Sequence, residues 1–308
     1  MISQNPDERL VSILEIERFA IHDGQGIRTV VFMQGCPLHC PWCSNPESQK
    51  QQTHLLHLKN RCVSCGMCAK ACPTGDITFT NNQVQFLREK CTLCKSCGNI
   101  CGQNAIKFIG EKVSVASIMD IIRRDKSYYE TSGGGVTFSG GEAFVQHEAL
   151  MTLLTSCKEE GIHTAIETCG QTDIHKIKEA FPLVDLFLFD IKHTDKNLLK
   201  KETGADWDVI CSNLDYISKA DPEKVIIRVP VIPGFNYTAG DITEIFKLAV
   251  KKGIKSVHLL PYHTLGMDKY EQIGMDYTYS HNTMVTKTEL HPLKNEGEEM
   301  GLNVQIGG

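Results

Sequence analysis

Cysteine carries the chemistry of this sequence. Fourteen of its 308 residues are cysteine, and eleven fall in three tight runs between Cys36 and Cys101. That density is below a small disulfide scaffold but above what a reduced core needs. Thiolates two or three residues apart converge on one centre more readily than they pair at a distance, so the pattern calls for metal. The first run, Cys36-Pro-Leu-His-Cys40-Pro-Trp-Cys43, is a C-x3-C-x2-C triplet directly after a short apolar strand. Three thiolates hold three irons of a cubane cluster and leave the fourth iron open, as a catalytic metal keeps a position for substrate. The competing reading is a closed zinc knuckle completed by His39 or His22.

The second and third runs share one spacing: Cys62-x2-Cys65-x2-Cys68-x3-Cys72 and Cys91-x2-Cys94-x2-Cys97-x3-Cys101. This is the two-cluster ferredoxin pattern, in which the fourth cysteine of each run crosses to the other cluster. Cys62, Cys65, Cys68 and Cys101 therefore ligate one 4Fe-4S cluster, and Cys91, Cys94, Cys97 and Cys72 the other. Paired zinc ribbons would not need the third cysteine of each run. Pro73 follows the first run as usual, but Gly102 follows the second. The scattered Cys157, Cys169 and Cys211 read as packing residues.

The elements that must position these groups follow from periodicity. Strands are expected at residues 13–19, 30–33, 135–138, 163–167, 186–190, 225–231 and 256–260, and helices at 115–129, 147–160, 173–181, 207–219 and 239–252. Counted from 30–33 onward, six apolar strands alternate with helices. This calls for an α/β fold with parallel pairing and right-handed crossovers, a barrel or open part-barrel. Ser139-Gly-Gly-Glu142, Thr168-Cys-Gly170, Lys192 and Pro261-Tyr-His263 then follow the carboxyl ends of strands, where such folds place their chemistry. Ahead of them, from about Thr53 to Phe108, apolar periodicity lapses where the two similar cysteine runs sit. The division is residues 1–52 and 111–308 for the barrel and 53–110 for an insert. Lys plus Arg number 32 against 37 Asp plus Glu, without a basic block, which argues against nucleic acid as a partner. No apolar run reaches membrane-spanning length and the first residues are unlike a signal peptide, so the expected location is the cytoplasm, with no membrane association.

The triplet continuing as Trp42-Cys-Ser-Asn-Pro-Glu47, the upstream Asp23-Gly-Gln-Gly-Ile-Arg28 and the downstream Ser139-Gly-Gly-Glu142 resemble the radical S-adenosylmethionine superfamily, specifically the glycyl-radical-enzyme activating enzymes. The insert resembles that of the subgroup serving choline trimethylamine-lyase, glycerol or propanediol dehydratase, hydroxyphenylacetate decarboxylase and benzylsuccinate synthase. The resemblance covers nearly the whole chain. It implies a partial (β/α)6 barrel with a ferredoxin-like two-cluster module, three 4Fe-4S clusters of which one has an open iron site, and S-adenosyl-L-methionine as cosubstrate. Reductive cleavage would give a 5'-deoxyadenosyl radical that removes a Cα hydrogen from a glycine of the partner enzyme, under anaerobic conditions.

Carried onto this sequence, the resemblance makes Cys36, Cys40 and Cys43 catalytic. It gives nucleoside contacts to Trp42, Cys43 and Ser44, the methionyl amine to Gly140, Gly141 and Glu142, and further S-adenosylmethionine contacts to Asp190, Ile191, Lys192 and His263. Glycines permit close backbone approach and a carboxylate engages an ammonium group, which agrees with the Gly-Gly-Glu assignment. Two departures are Ala143 and Gln25, each where proline is commoner. Asp23 and Arg28 either bind the partner's backbone or form a plain tight turn. Glu167 and Arg228 are weaker candidates for ribose or carboxylate contacts, with an ordinary strand-end ion pair as the competing reading for Arg228. A glycyl radical enzyme is the expected protein substrate, a flavodoxin or ferredoxin the electron donor, and a monomer the expected state. The alternative is a radical S-adenosylmethionine enzyme acting on a small molecule or installing another modification. A plain electron carrier leaves the first triplet and its Gly-Gly-Glu partner unexplained.

Overall fold

The computed structural model describes residues 6–281 and 283–307. Among the described residues thirteen strands form in chain order: β1 (Leu10–Ala20), β2 (Arg28–Met33), β3 (His54–His57), β4 (Ile77–Thr80), β5 (Gln83–Phe86), β6 (Ile106–Ile109), β7 (Glu111–Ser114), β8 (Gly135–Gly140), β9 (Thr164–Thr168), β10 (Leu186–Asp190), β11 (Val225–Val231), β12 (Ser256–Pro261) and β13 (Asn303–Ile306). Nine build one sheet in the order β13-β12-β11-β10-β9-β8-β2-β1-β7. From β2 to β13 every pairing is parallel, while β1 runs antiparallel to both β2 and β7. Strands covered on both faces carry few polar residues, which is why β10 (Leu-Phe-Leu-Phe-Asp) reads as a nearly unbroken hydrophobic run, while β8 and β9 interleave buried Thr and Ser with their apolar residues.

Crossover helices cover the outer face. After the short α1 (Met67–Ala71) and α2 (Ser96–Asn99) come α3 (Val115–Arg124), α4 (Lys126–Ser132), α5 (His147–Glu159), α6 (Ile174–Ala180), α7 (Lys196–Thr203), α8 (Trp207–Ala220), α9 (Ala239–Lys251), α10 (Met267–Ile273) and α11 (His291–Glu299). Their caps are local and legible: Ser114, Asp173, Asp195, Asp206 and Thr238 each accept a backbone N–H of the first turn. None of the helices is long and apolar enough to cross a membrane, among the described residues.

The sheet differs from the expected one at its ends. A seventh parallel strand, β13, closes one edge; its Asn303-Val-Gln-Ile sequence is short and only alternately buried. The helix expected over 115–129 breaks at Asp125, whose carboxylate turns inward to accept Arg18 Nε at 2.9 Å and Thr29 Oγ1 at 2.8 Å. Arg18 reaches it from β1, so the break ties the antiparallel edge to α3 and α4.

Residues 54–109 form a separate small core of Leu55, Cys68, Ile77, Cys97 and Ile106 between two two-stranded sheets, β3-β6 and β4-β5. The chain enters and leaves this region side by side: Thr53 Oγ1 donates to the Gly110 carbonyl at 2.8 Å, and Gln34 Nε2 donates to the Gln52 carbonyl at 2.8 Å. Arg88 donates to the Leu55 carbonyl at 2.6 Å and to the Gln272 carbonyl at 2.8 Å, holding the region against α10.

Replacing Asp125 by Ala leaves the buried Thr29 hydroxyl without its acceptor and removes the anchor of Arg18, so Asp125→Ala is expected to cost about 2 kcal/mol. The Arg18 guanidinium holds the Asp125 carboxyl below its ordinary range. A carboxylate whose native pKa is depressed contributes above its unfolded value, near pH 4, and loses that contribution as pH falls through the native value. The stability difference between wild type and variant, measured by denaturant titration, should be constant from pH 5 to 8 and shrink below about pH 4.

Candidate active site

The loop after β2 carries the first cysteine run, and backbone hydrogen bonds fold it back over the sheet. Gly35 N–H donates to the Ser48 carbonyl at 2.6 Å, Cys36 N–H to Gln49 at 3.2 Å, and His39 N–H to Thr203 at 3.1 Å. Cys36, Cys40 and Cys43 are thereby brought to one wall of a cavity of about 260 Å³. The opposite wall is made by strand ends: Ser139 and Gly140 closing β8 and Gly141 after it, Glu167 and Thr168 on β9, and Asp190 and Lys192 at β10. Trp42 and Ser44 also line it, and the exposed His263 stands where β12 ends. Trp42 is packed on Phe235 at 4.4 Å between ring centroids and on Tyr279 at 5.3 Å.

The glycines are required by a close approach. Gly140 has φ +111°, and a Cβ there would lie 2.2 Å from the Met33 carbonyl oxygen; one on Gly141 would lie 2.3 Å from that of Gly35. With no side chain, Gly141 N–H donates to Met33 at 2.8 Å and Glu142 N–H to Gly35 at 2.7 Å. The Gly-Gly pair thus seats the cysteine loop directly on the end of β8.

Two expected contacts are placed differently. Glu142 does not line the cavity. Its carboxylate is 1% exposed and faces β9, accepting Thr168 Oγ1 at 2.9 Å, Cys169 N–H at 2.8 Å and the Cys169 thiol at 3.0 Å. Burial pushes this carboxyl up, while those donors act in the opposite sense. Any role for Glu142 toward an amine therefore passes through the loops it braces rather than through its own oxygens. Ile191, flanked by Asp190 and Lys192, is 1% exposed, and its side chain belongs to the core. Its N–H donates to the Arg228 carbonyl at 2.9 Å, which aligns its two neighbours with the cavity.

Asp190 and Lys192 form a half-enclosed pair at 2.7 Å, with side chains 19% and 14% exposed. Burial works against the Lys192 ammonium, but the Asp190 carboxylate, together with the nearby Cys40 and Cys169, outweighs it and keeps the lysine charged. The second oxygen, Asp190 Oδ1, is buried and has no partner among the described residues. An acceptor buried and unpaired at a cavity wall is suited to a ligand's hydroxyl or ammonium group.

Beneath the cavity, Arg228 lies within 3.1 Å of Glu167 Oε1 and 3.6 Å of Asp23 Oδ1, and Glu167 Oε2 accepts the Ser139 hydroxyl. Burial raises the Glu167 carboxyl, with Arg228 acting to lower it. Arg28 is wholly buried: it donates to Thr137 Oγ1 at 2.6 Å, the Val136 carbonyl at 2.6 Å and the Gln25 carbonyl at 3.2 Å. It therefore secures the Asp23 loop and is not presented to a partner, whereas the Asp23 carboxylate reaches the barrel interior.

Two further cavities lie within residues 54–109. One is ringed by Cys72, Cys91, Cys94 and Cys97, the other by Cys62, Cys65, Cys68 and Cys101, with Phe86 lining both. The crossed grouping is the one the spacing predicts. His39 does not join the first triplet, because its ring packs against Gly204, where a Cβ would meet it at 2.3 Å. No three His, Cys, Asp or Glu among the described residues converge on a single-ion site; the cysteines surround cavities instead, as ligands to separate irons of a cubane do. Burial pushes the Cys36 and Cys40 thiols up to about 12, so loading metal must displace protons from them. The residues present fit iron–sulfur clusters and a polar nucleoside ligand. Lys269 of α10 escaped sequence reasoning: it donates to Asn45 Oδ1 at 2.7 Å and pairs with Glu47 at 2.9 Å, bracing the cysteine loop from more than two hundred residues away with no local signal.

A parallel sheet bearing a cysteine triplet over its carboxyl ends defines a radical S-adenosylmethionine enzyme, and comparison agrees. The Radical SAM superfamily family model matches residues 93–249, and the 4Fe-4S dicluster domain model matches residues 54–102. The chain is 39% identical over 290 residues to the choline trimethylamine-lyase activating enzyme of Oleidesulfovibrio alaskensis, covering 92% of this chain and 93% of that one. It is 44% identical over 269 residues to the (2S)-3-sulfopropanediol sulfolyase activating enzyme of Bilophila wadsworthia, covering 86% and 89%. It is 37% identical over 299 residues to the trans-4-hydroxy-L-proline dehydratase activating enzyme of Clostridioides difficile, covering 96% and 99%. Among solved structures, Streptococcus suis SuiB bound to precursor peptide SuiA has the same fold, with a TM-score of 0.54 at 14% identity over 91% of this chain and 48% of that one. The chain belongs to the glycyl-radical-enzyme activating enzymes of the radical S-adenosylmethionine superfamily. Such enzymes use radical S-adenosylmethionine chemistry to generate a glycyl radical on a partner enzyme.

Gly140→Ala forces a Cβ into the Met33 carbonyl at a positive φ. It is expected to cost about 3 kcal/mol and to weaken S-adenosylmethionine binding at least about tenfold. Thermal denaturation and equilibrium dialysis against labelled S-adenosylmethionine read the two effects separately.

Proposed function

We propose that Cys36, Cys40 and Cys43 hold a 4Fe-4S cluster with one open iron. Cys62, Cys65, Cys68 and Cys101 hold a second cluster, and Cys91, Cys94, Cys97 and Cys72 a third. S-Adenosylmethionine occupies the cavity beside the first. The observation that carries this reading is that three thiols of one short loop share a cavity with the unpartnered Asp190 Oδ1. When bound, the first cluster supplies the single electron for homolysis of the sulfonium. The chain's own residues then bind and orient. Backbone groups of Gly140 and Gly141 meet the methionyl amine, the Lys192 ammonium faces its carboxylate, and Asp190 Oδ1 accepts from the ligand. Trp42, Ser44 and His263 flank the nucleoside. The packed Trp42–Phe235–Tyr279 group keeps water from that side, which matters because a primary radical attacks any hydrogen it meets. Asp23, held in the barrel interior beside Arg228, is placed for the partner's glycine segment. The relatives serve a lyase, a sulfolyase and a dehydratase, and the partner here belongs to the same group of glycyl radical enzymes.

Residues 53–110 act as an inserted electron-entry module. They hold seven lysines and arginines against two acidic residues, a charge of +5 within a chain of −5. Cys65 and Cys94, one in each ring, are exposed. An acidic one-electron donor such as a flavodoxin or ferredoxin is complementary to that surface. The enzyme acts as a cytoplasmic monomer that docks its partner transiently.

Anaerobically reconstituted protein should contain about twelve irons, falling to about eight when Cys36, Cys40 and Cys43 are replaced by Ala. With reductant and a partner, wild type should release 5'-deoxyadenosine and produce a glycine-centred electron paramagnetic resonance doublet, and the triple variant neither. Deoxyadenosine without a protein radical for any partner tested would favour the small-molecule alternative. Charge reversal at the exposed Lys70 and Lys90 together should slow reduction by a flavodoxin about tenfold at low salt, the difference fading as ionic strength rises. Stopped-flow reduction at two salt concentrations measures it.

A further inference from the structure

The two cysteine-ringed cavities of residues 54–109 differ in how they stand to the large sheet. Both are lined from the β3-β6 pair, in which Leu55 is opposite Phe108 and His57 opposite Ile106. Leu55 and Phe108 line the cavity of Cys72, Cys91, Cys94 and Cys97, whereas His57 and Ile106 line that of Cys62, Cys65, Cys68 and Cys101. The pair starts at the crossing of Thr53 and Gly110, which Gln34, two residues before Cys36, holds through the Gln52 carbonyl. At about 3.3 Å of rise per residue, the Cys62 cavity is about 7 Å farther along the strands from that crossing. The Cys91 cavity is the inner one.

A continuous line of protein leads from the inner cavity to the first cysteine loop. Arg88 lines it and donates to the Gln272 carbonyl of α10 at 2.8 Å. Gly266, just before α10, comes so near the loop that a Cβ would sit 2.7 Å from Ser44 Cα. On the outer side Lys59 pairs with Glu271, but both side chains are mostly exposed, and an ion pair in water holds little.

The outer cavity has the face that a protein would cover. Val63 and Met67 line it and are 63% and 43% exposed. Phe79, also exposed, lies so close over Gly66 that a Cβ there would meet its ring at 2.9 Å. Among the described residues, no large apolar side chain lining the inner cavity is exposed in this way. The exposed Lys70 follows Met67 by three positions on α1 and so shares its side of the helix, and the exposed Arg61 immediately precedes Cys62. Cys65 and Cys94 are both exposed, so a bare ligand sulfur does not separate the two cavities. The apolar patch and the distance do.

We propose that an acidic one-electron donor, a flavodoxin or ferredoxin, docks on the outer face, over Val63 and Met67 with Arg61 and Lys70 at the rim, so that electrons run inward from the Cys62 site to the Cys91 site. An apolar centre with a basic rim is complementary to a partner whose own rim is acidic. The proposal rests on the reading of residues 53–110 as an electron-entry module and gives that module a direction. At each encounter the reduced donor loses one electron and the outer site gains one, with no bond made or broken.

The test compares two full-length double variants, reconstituted anaerobically, with iron content and melting temperature checked against wild type. Arg61→Glu with Lys70→Glu alters the outer face; Lys90→Glu with Lys95→Glu alters the surface beside the inner cavity, which Lys95 lines. Calorimetric titration at low salt with an oxidised flavodoxin should show affinity falling about tenfold for the outer pair and less than about twofold for the inner pair. A second readout needs no variant: a carbodiimide, which joins amines to carboxylates, should link flavodoxin to Lys70 of wild type, located by mass spectrometry. An inner-pair loss as large as the outer one, binding that neither pair weakens, or a link to Lys90 or Lys95 in place of Lys70 overturns the proposal. With the partner enzyme also present, a link from Lys70 to that enzyme instead assigns the face to it and overturns the proposal as well. If wild type binds neither flavodoxin nor ferredoxin yet releases 5'-deoxyadenosine with dithionite, the electron-entry reading itself fails, and the docking face with it.

Discussion

Thiols as deeply placed as those of Cys36 and Cys40 keep their protons until metal displaces them, and a loop that carries them must be held open by something other than itself. Here the holding is done by glycine. Because Gly140 and Gly141 have no side chains, the end of β8 closes to hydrogen-bond distance of Met33 and Gly35, and the loop is pinned to the sheet by its backbone. Everything else at the site is arranged around that contact. Glu142, next in sequence, is turned behind the wall to accept from Thr168 and Cys169, so β8, β9 and the loop are tied together by side-chain and backbone hydrogen bonds.

The barrel interior beneath the cavity is polar but closed. Arg228 is set among Glu167, Asp23 and Asp190, and Arg28 is spent on backbone and hydroxyl acceptors. Buried charges survive only when paired, and here the grouping around Arg228 joins three strands, β9, β10 and β11, and the Asp23 loop. Such a network gives the Asp23 loop a fixed place without a large apolar contact. It also leaves the half-paired Asp190 as the group at the wall with capacity to spare.

Much of this was legible in the sequence, for identifiable reasons. β10 and β11 have the expected bounds because both of their faces are covered and their runs are strongly apolar, broken inside β11 only by the paired Arg228. β13 was missed because an edge strand of four residues with alternating burial resembles a loop. The crossed cysteine rings followed from spacing alone, since ligands close in sequence need little tertiary information. Ile191 was misplaced by ignoring side-chain alternation: between two cavity-facing neighbours it must face the other way. The directions of Glu142 and Arg28 were illegible because their partners, Thr168 and Thr137, lie 26 and 109 residues away. The bracing of the cysteine loop by α10 was hidden for the same reason.

The paired crossing at Thr53 and Gly110 has a consequence for ancestry. Since the chain departs and returns at neighbouring points, the length of what lies between can change without altering any strand register of the large sheet. An ancestral barrel could gain or shed a wiring unit by one recombination event, and lineages could differ in their number of redox centres while inheriting the same catalytic chamber.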